Sequence, residues 1–173
     1  MDKPKIVFIS GLSGTGKSTL VKYFIENPVV GWFFYDFDKG KYKIPMDNKK
    51  HLAWRKKQTG WWLKTAYQES IKNKSGIVVL GLSLYPKSTL ELSPAKLFNK
   101  KDIYFALIHC EPDQRRERII KRGTPQHWRG YQPWYDEFYE EMKTAGAFRI
   151  DTTNRSVKQT ATEIKKWLVG LQK

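Results

Sequence analysis

Residues 11–18 read Gly-Leu-Ser-Gly-Thr-Gly-Lys-Ser, the complete spacing GxxxxGKS. Glycines at this spacing free the backbone and let its N–H groups close around phosphate oxygens. Gly11, Gly14 and Gly16 supply that freedom, and Ser13, Thr15 and Thr19 complete the candidate contacts. Lys17 is placed to reach the β- and γ-phosphates of a bound nucleotide, and the Ser18 hydroxyl to hold Mg²⁺. A second group of residues follows, Asp36-Phe37-Asp38. Of two neighbouring carboxylates, one can steady a hydrated Mg²⁺ while the other accepts a proton from a substrate hydroxyl. A third is Arg115, Arg118 and Arg122, spaced i, i+3, i+7 on one helical face, with Arg129 beyond them. Phosphoryl transfer needs positive charge over the moving group and little else. Arg118, Arg122 and Arg129 are expected to supply it, and Arg115 and Arg116 read as a solvated basic face.

The elements that must position these groups alternate in type. Ile6–Ile9 is a short apolar run, read as a buried strand, and a helix is expected over 17–26. A strand near 32–36 should carry Asp36 and Asp38 at its carboxyl end, on the same side by alternation, with Phe37 opposite. A basic segment (39–50) and an aromatic-rich helix (51–73) follow. Strands near 77–81 and 103–110 precede a helix over 112–122, in which Ile119 and Ile120 should face the core. Residues 123–134 read as a Gly-, Pro-, Trp- and Arg-rich lid, followed by a helix near 135–145 and a short strand at 148–150. Ser156 caps a last amphipathic helix. Tyr85-Pro86 reads as a turn that ends the third strand. Near-continuous apolar strands alternating with helices imply a parallel sheet covered on both faces.

With 173 residues, 40% hydrophobic and 14% aromatic, the chain is expected to fold as a single domain. No secretory pattern or membrane span is read from it, and its one cysteine, Cys110, suits a reducing cytoplasm. The net charge of +15 implies attraction to anions. Nucleotides, phosphorylated metabolites, nucleic acid and an acidic membrane surface all satisfy that charge; no membrane partner is expected.

On these residues the chain resembles the P-loop small-molecule and nucleoside monophosphate kinases. The Asp36-Phe37-Asp38 element is similar to the Asp-x-Asp of shikimate and gluconate kinases, where the first acid helps hold magnesium and the second contacts the hydroxyl to be phosphorylated. Arg118-Ile-Ile-Lys-Arg122 resembles the lid entrance of adenylate kinases, where the first arginine stacks on adenine and the second contacts phosphates. Ile150-Asp151-Thr152-Thr153 resembles the segment that offers backbone contacts to adenine. The resemblance implies a three-layer α/β P-loop NTPase fold with a five-stranded parallel sheet and a lid. It also implies ATP and Mg²⁺ as donor and cofactor. No acid ends the third strand, so Asp36 has to serve magnesium. No substrate pocket of the family matches residues 39–62.

That unmatched segment carries Lys39, Lys41, Lys43, Lys49, Lys50, Arg55, Lys56 and Lys57 against the single acid Asp47. With Trp54, Trp61 and Trp62 close by, it reads as the acceptor side, suited to an anionic or nucleobase-bearing small molecule. Trp54, Arg55 and Asp38 are the candidate acceptor contacts. His51 reads as incidental, and Trp62, Ala66 and Ile71 as core. The expectation is an ATP-dependent kinase acting on a hydroxyl or phosphate. The alternative is a polynucleotide 5′-end kinase or an ATP-using nucleic-acid-binding protein. A GTP-dependent switch is disfavoured. Asn99-Lys100-Lys101-Asp102 matches a guanine-reading motif in letters, but it precedes a strand instead of following one.

Overall fold

The computed structural model describes residues 3–128, 130 and 133–172. Five strands, β1 (Ile6–Ser10), β2 (Trp32–Asp36), β3 (Gly76–Leu80), β4 (Ile103–His109) and β5 (Phe148–Asp151), form one sheet in the order β2-β3-β1-β4-β5. Every pairing is parallel, with Ile6 opposite both Ile77 and Ile103. Between them run α1 (Lys17–Glu26), α2 (His51–Asn73), α3 (Pro86–Glu91), α4 (Pro112–Lys121), α5 (Pro133–Thr144) and α6 (Val157–Gly170).

The unbroken apolar runs of β1, β3 and β4 reflect burial on both faces. Val7, Ile9, Val78, Leu80, Ala106 and Ile108 pack on one side against α1 and α6, through Leu20, Phe24, Ala161, Ile164 and Leu168. Ile6, Phe8, Ile77, Val79, Phe105 and Leu107 face the other side, against Trp62, Leu63 and Ala66 of α2 and Phe138 and Met142 of α5. The sheet is therefore the middle of three layers, and its central strand β1 delivers the glycine loop at its carboxyl end, where ligands bind in open parallel sheets. Gly14 (φ 84°) and Gly16 (φ 97°) hold the left-handed backbone conformation that this turn requires. Ser156 starts α6 with a capping box: its hydroxyl accepts from Gln159 N and the Gln159 side chain accepts from Ser156 N.

Helix α2 positions the turns that follow β2 and β3. Its buried stripe begins polar, with Arg55, Gln58 and Thr59, and becomes apolar at Trp62, Leu63 and Ala66. The Gln58 amide donates to Phe37 O (2.8 Å) and accepts from Tyr42 N (3.0 Å), and Trp62 Nε1 also donates to Phe37 O (3.1 Å). Thr59 Oγ1 accepts from Leu84 N (3.2 Å). One helical face thus pins the turns that follow β2 and β3.

Four expectations need correction. β2 ends at Asp36, and Phe37–Lys39 form a 3₁₀ turn, so strand alternation does not set the Asp36/Asp38 relation. Tyr85-Pro86 is no mere strand-ending turn: Pro86 opens α3, its fixed φ suiting a first helical turn. Ile71 and Ile120 are 55% and 53% exposed, because both fall off the buried stripes of their helices. Arg115 is not on a solvated face, being only 8% exposed. Asn99–Asp102 is a turn leading into β4, as expected. No described helix is long and apolar enough to cross a membrane.

Candidate active site

The loop and the start of α1 are held in a receptive form. Lys17 Nζ donates to Gly11 O and Leu12 O, both at 2.7 Å, so the ammonium curls over its own loop. Its pKa drops from lysine's ordinary 10.5 to about 8. Burial is the main cause. The Asp38 and Asp36 charges pull it back up, and the Arg115 and Arg122 charges push it further down. Ser13 and Ser18 are exposed, and Ser13 lines the cavity described below.

On one side of the loop lies a pocket of about 290 Å³, lined by Thr15, Gly16, Thr19, Arg118, Thr152 and Arg155 with four neighbours. Thr152 is its keystone. Its hydroxyl shares its one proton between Thr15 O (3.1 Å) and His109 O (3.0 Å) and accepts from Arg118 Nη1 (3.1 Å), tying the loop to the ends of β4 and β5. Arg118 Nη2 adds bonds to Thr152 O (2.6 Å) and Gln114 Oε1 (3.1 Å). The structure thus brings Thr15, Gly16, Thr19, Arg118 and Thr152 together. Asp151 does not line this pocket. Its carboxylate accepts from Thr153 N (2.8 Å), and bonding to Thr153 holds it below the usual carboxylate range.

On the other side opens a cavity of about 620 Å³, into which Lys17, Asp38, Trp54, Arg55, Tyr85 and Arg115 all contribute. Asp36 Oδ1 accepts from Asp38 N (3.0 Å), so the first carboxylate shapes the turn that presents the second. Asp38 is raised above the usual carboxylate range, first by loss of solvent and then by the Asp36 charge, with Lys17 and His51 opposing. His51, read from sequence as incidental, lines the same cavity, and its Nε2 is bonded to Pro45 O (2.9 Å). Trp54 Nε1 donates to Tyr42 O (2.9 Å), and its ring meets Phe37 edge-on.

Arg55 is buried and donates twice to Ser83 O, from Nε (3.0 Å) and Nη2 (2.5 Å). Its guanidinium lies 5.6–5.7 Å from the ring centres of Tyr85, Trp134 and Phe138, and burial brings its pKa from 12.5 to about 10. Ser83 Oγ bonds Ser10 Oγ at 2.8 Å, which links this wall to the end of β1.

The arginines of α4 part company. Arg122 is exposed; its Nε donates to Thr124 Oγ1 (2.9 Å) and its Nη2 lies 3.3 Å from His127 Nδ1. Arg129 lies outside the described residues. Arg115 and Tyr85 are the cavity residues that sequence reasoning undervalued. The available signal was position: Tyr85 follows a central strand, and Arg115 precedes Arg118 by one turn on the same face.

No protein-family model matches this chain, and no curated protein matches it in sequence. Solved structures do match in fold. The shikimate kinase of Acinetobacter baumannii, solved with shikimate, aligns with a TM-score of 0.57 at 17% identity, covering 96% of this chain and 93% of that one. A gluconokinase from Sinorhizobium meliloti 1021 gives 0.54 at 18%, covering 99% and 95%. The tunicamycin resistance protein of Deinococcus radiodurans gives 0.58 at 14%, covering 96% of each. At these identities the likeness is one of architecture: this chain has the P-loop NTPase fold.

Proposed function

We propose that the protein is an ATP-dependent kinase that transfers the γ-phosphoryl group to a small anionic acceptor. The observation that carries this reading is that the loop lysine, Lys17, and the carboxylate of Asp38 face one cavity, with a base-sized pocket on the loop's other side. ATP would lie across the loop, its base in the pocket beside Arg118 and Thr152 and its phosphates on the N–H groups leading into α1. The donor set fits Mg²⁺: the Ser18 hydroxyl is exposed, and among the described residues Asp36 uses only Oδ1 in the turn. Ser18 and Asp36 would hold the ion, which when bound would offset negative charge on the β- and γ-oxygens.

The acceptor hydroxyl would sit between Asp38 and the γ-phosphoryl group. Asp38 takes its proton as the acceptor oxygen bonds phosphorus and the β,γ-bridging bond breaks, leaving ADP. Its raised pKa brings the carboxylate nearer the working pH of a general base. Arg55, with Trp54 beside it, would take the acceptor's anionic group, since no ion pair to Arg55 is present among the described residues. Residues 123–134 would act as the lid that excludes water, within a single catalytic domain spanning 1–173. A buried free thiol, Cys110, suits work in a reducing cytoplasm.

One observation favours a second reading. Lys39, Lys41, Lys43, Lys49, Lys50, Lys56 and Lys57 are all exposed in the segment that rims the cavity, and none has an ion pair among the described residues. That rim suits a polynucleotide end. The test of both is transfer of label from γ-labelled ATP to a panel of hydroxy acids, sugars, nucleosides, nucleotides and oligonucleotides. Labelling of a small anionic acceptor, abolished in Asp38→Asn, is the expected result. Labelling of oligonucleotides alone selects the second reading. Tight ATP binding with no labelled acceptor refutes both.

A further inference from the structure

Of the arginines that α4 turns toward the site, two are already committed. Arg118 is bonded to Thr152 and Gln114, and Arg122 to Thr124 and His127. Arg115 is different. It is 8% exposed, its Nε is buried without a hydrogen-bond partner, and no ion pair to it is present among the described residues. A buried guanidinium left this way is costly unless a ligand completes it.

Its position indicates which ligand. Arg115 lines the cavity shared by Lys17 and Asp38, not the base pocket of Arg118. Its charge acts directly on Lys17. Its backbone abuts the glycine loop so closely that a Cβ at Gly14 would lie 2.8 Å from Arg115 O and 2.9 Å from its Cγ. The ring of Trp128 lies 4.9 Å from the guanidinium carbon and restricts its rotamers. One turn of α4, about 5 Å along its axis, separates Arg118 at the base end from Arg115 at the opposite end of the loop.

We propose that Arg115 is a further phosphate-contacting residue, donating to the γ-phosphoryl oxygens of the bound nucleoside triphosphate from the acceptor side of the cavity. This rests on the reading of the loop as the donor site. α4 then reads both ends of the nucleotide, with Arg118 at the base and Arg115 at the group to be transferred. Trp128 fixes Arg115 in advance, so the contact costs little ordering when the triphosphate arrives.

The test uses the full chain and needs no acceptor. Isothermal titration compares Mg·AMP-PNP with Mg·ADP on wild type, Arg115→Ala and Arg115→Lys. A charge-assisted contact to the γ-group predicts that Arg115→Ala loses AMP-PNP affinity by on the order of 10- to 100-fold, with ADP affinity nearly unchanged. Arg115→Lys, which keeps the charge and the helix, should fall between. Guanidinium ion at sub-denaturing concentration should restore part of the AMP-PNP affinity of Arg115→Ala and none to wild type. Equal losses for both nucleotides would mean that Arg115 only props the loop, and no loss would mean that it faces something else. Either overturns the inference while the donor reading stands. A wild type that binds neither nucleotide overturns the donor reading itself.

Discussion

Replacing Lys17 by methionine should change the pH dependence of folding in a calculable way. The ammonium is desolvated in the glycine loop and loses proton affinity, from 10.5 to about 8. At about 1.4 kcal/mol per tenfold change, keeping it charged in the folded state costs about 3 kcal/mol. A cation with a depressed folded pKa imposes its full cost below that pKa, where both states are charged. Between about pH 8 and 10.5 the unfolded chain binds the extra proton, so the wild type gains stability as pH rises. By pH 10 most of that cost should be gone. Lys17→Met carries no such term. At any single pH, the offset between the two proteins also includes thioether packing and the two lost bonds to Gly11 O and Leu12 O. Its change with pH excludes both, and the other lysines and tyrosines titrate alike in each protein. Urea unfolding of both proteins at pH 7 and pH 10, without nucleotide, measures that change. The wild type should gain about 2–3 kcal/mol on the variant. A flat offset would refute the claim that the glycine loop holds a desolvated cation.

Three further outcomes follow from the same geometry. Asp38→Asn should lower phosphoryl transfer by about 10²- to 10⁴-fold while Mg·ATP affinity, read by titration, hardly changes. Thr152→Val removes a hydroxyl bonded to Thr15 O, His109 O and Arg118; it should cost about 1–3 kcal/mol in chemical denaturation and weaken ATP binding without altering acceptor KM. Gly81→Ala places a Cβ 2.1 Å from Phe37 Cβ, which is backbone-anchored and fully buried. It should cost about 1–3 kcal/mol in thermal unfolding and displace the turn bearing Asp38, so kcat should fall with stability.

The glycine loop was legible because its code is local. Eight consecutive residues, flanked by an apolar run and a helix, contain the glycines, the lysine and the serine together. The pocket beside Arg118 and Thr152 was partly legible for the same reason, since both residues belong to short patterns at element ends. The β2 turn was not. Nothing in Asp36-Phe37-Asp38 announces that Phe37 O will receive both Gln58 and Trp62, and those bonds convert a strand end into a 3₁₀ turn. Arg115 was misjudged because charge on a helix is usually solvated, whereas here the 123–134 segment brings Trp128 over it.

The cavity that Lys17 and Asp38 share is assembled from distant segments, yet α2 did carry a readable signal. Arg55, Gln58, Thr59 and Trp62 follow the i, i+3, i+4, i+7 spacing of a buried stripe. Three of those four are polar, and the stripe turns apolar only beyond them. Polar residues on a buried helical face must be answered by something. Gln58 and Thr59 are answered by Phe37 O, Tyr42 N and Leu84 N, which fixes the two turns flanking the cavity. Arg55 is answered only in part: Ser83 O takes two of its donors and three rings take its face, but no carboxylate meets its charge among the described residues. Its unbalanced charge, on a helix otherwise fully satisfied along that stripe, is the physical reason to look for an anion on the acceptor.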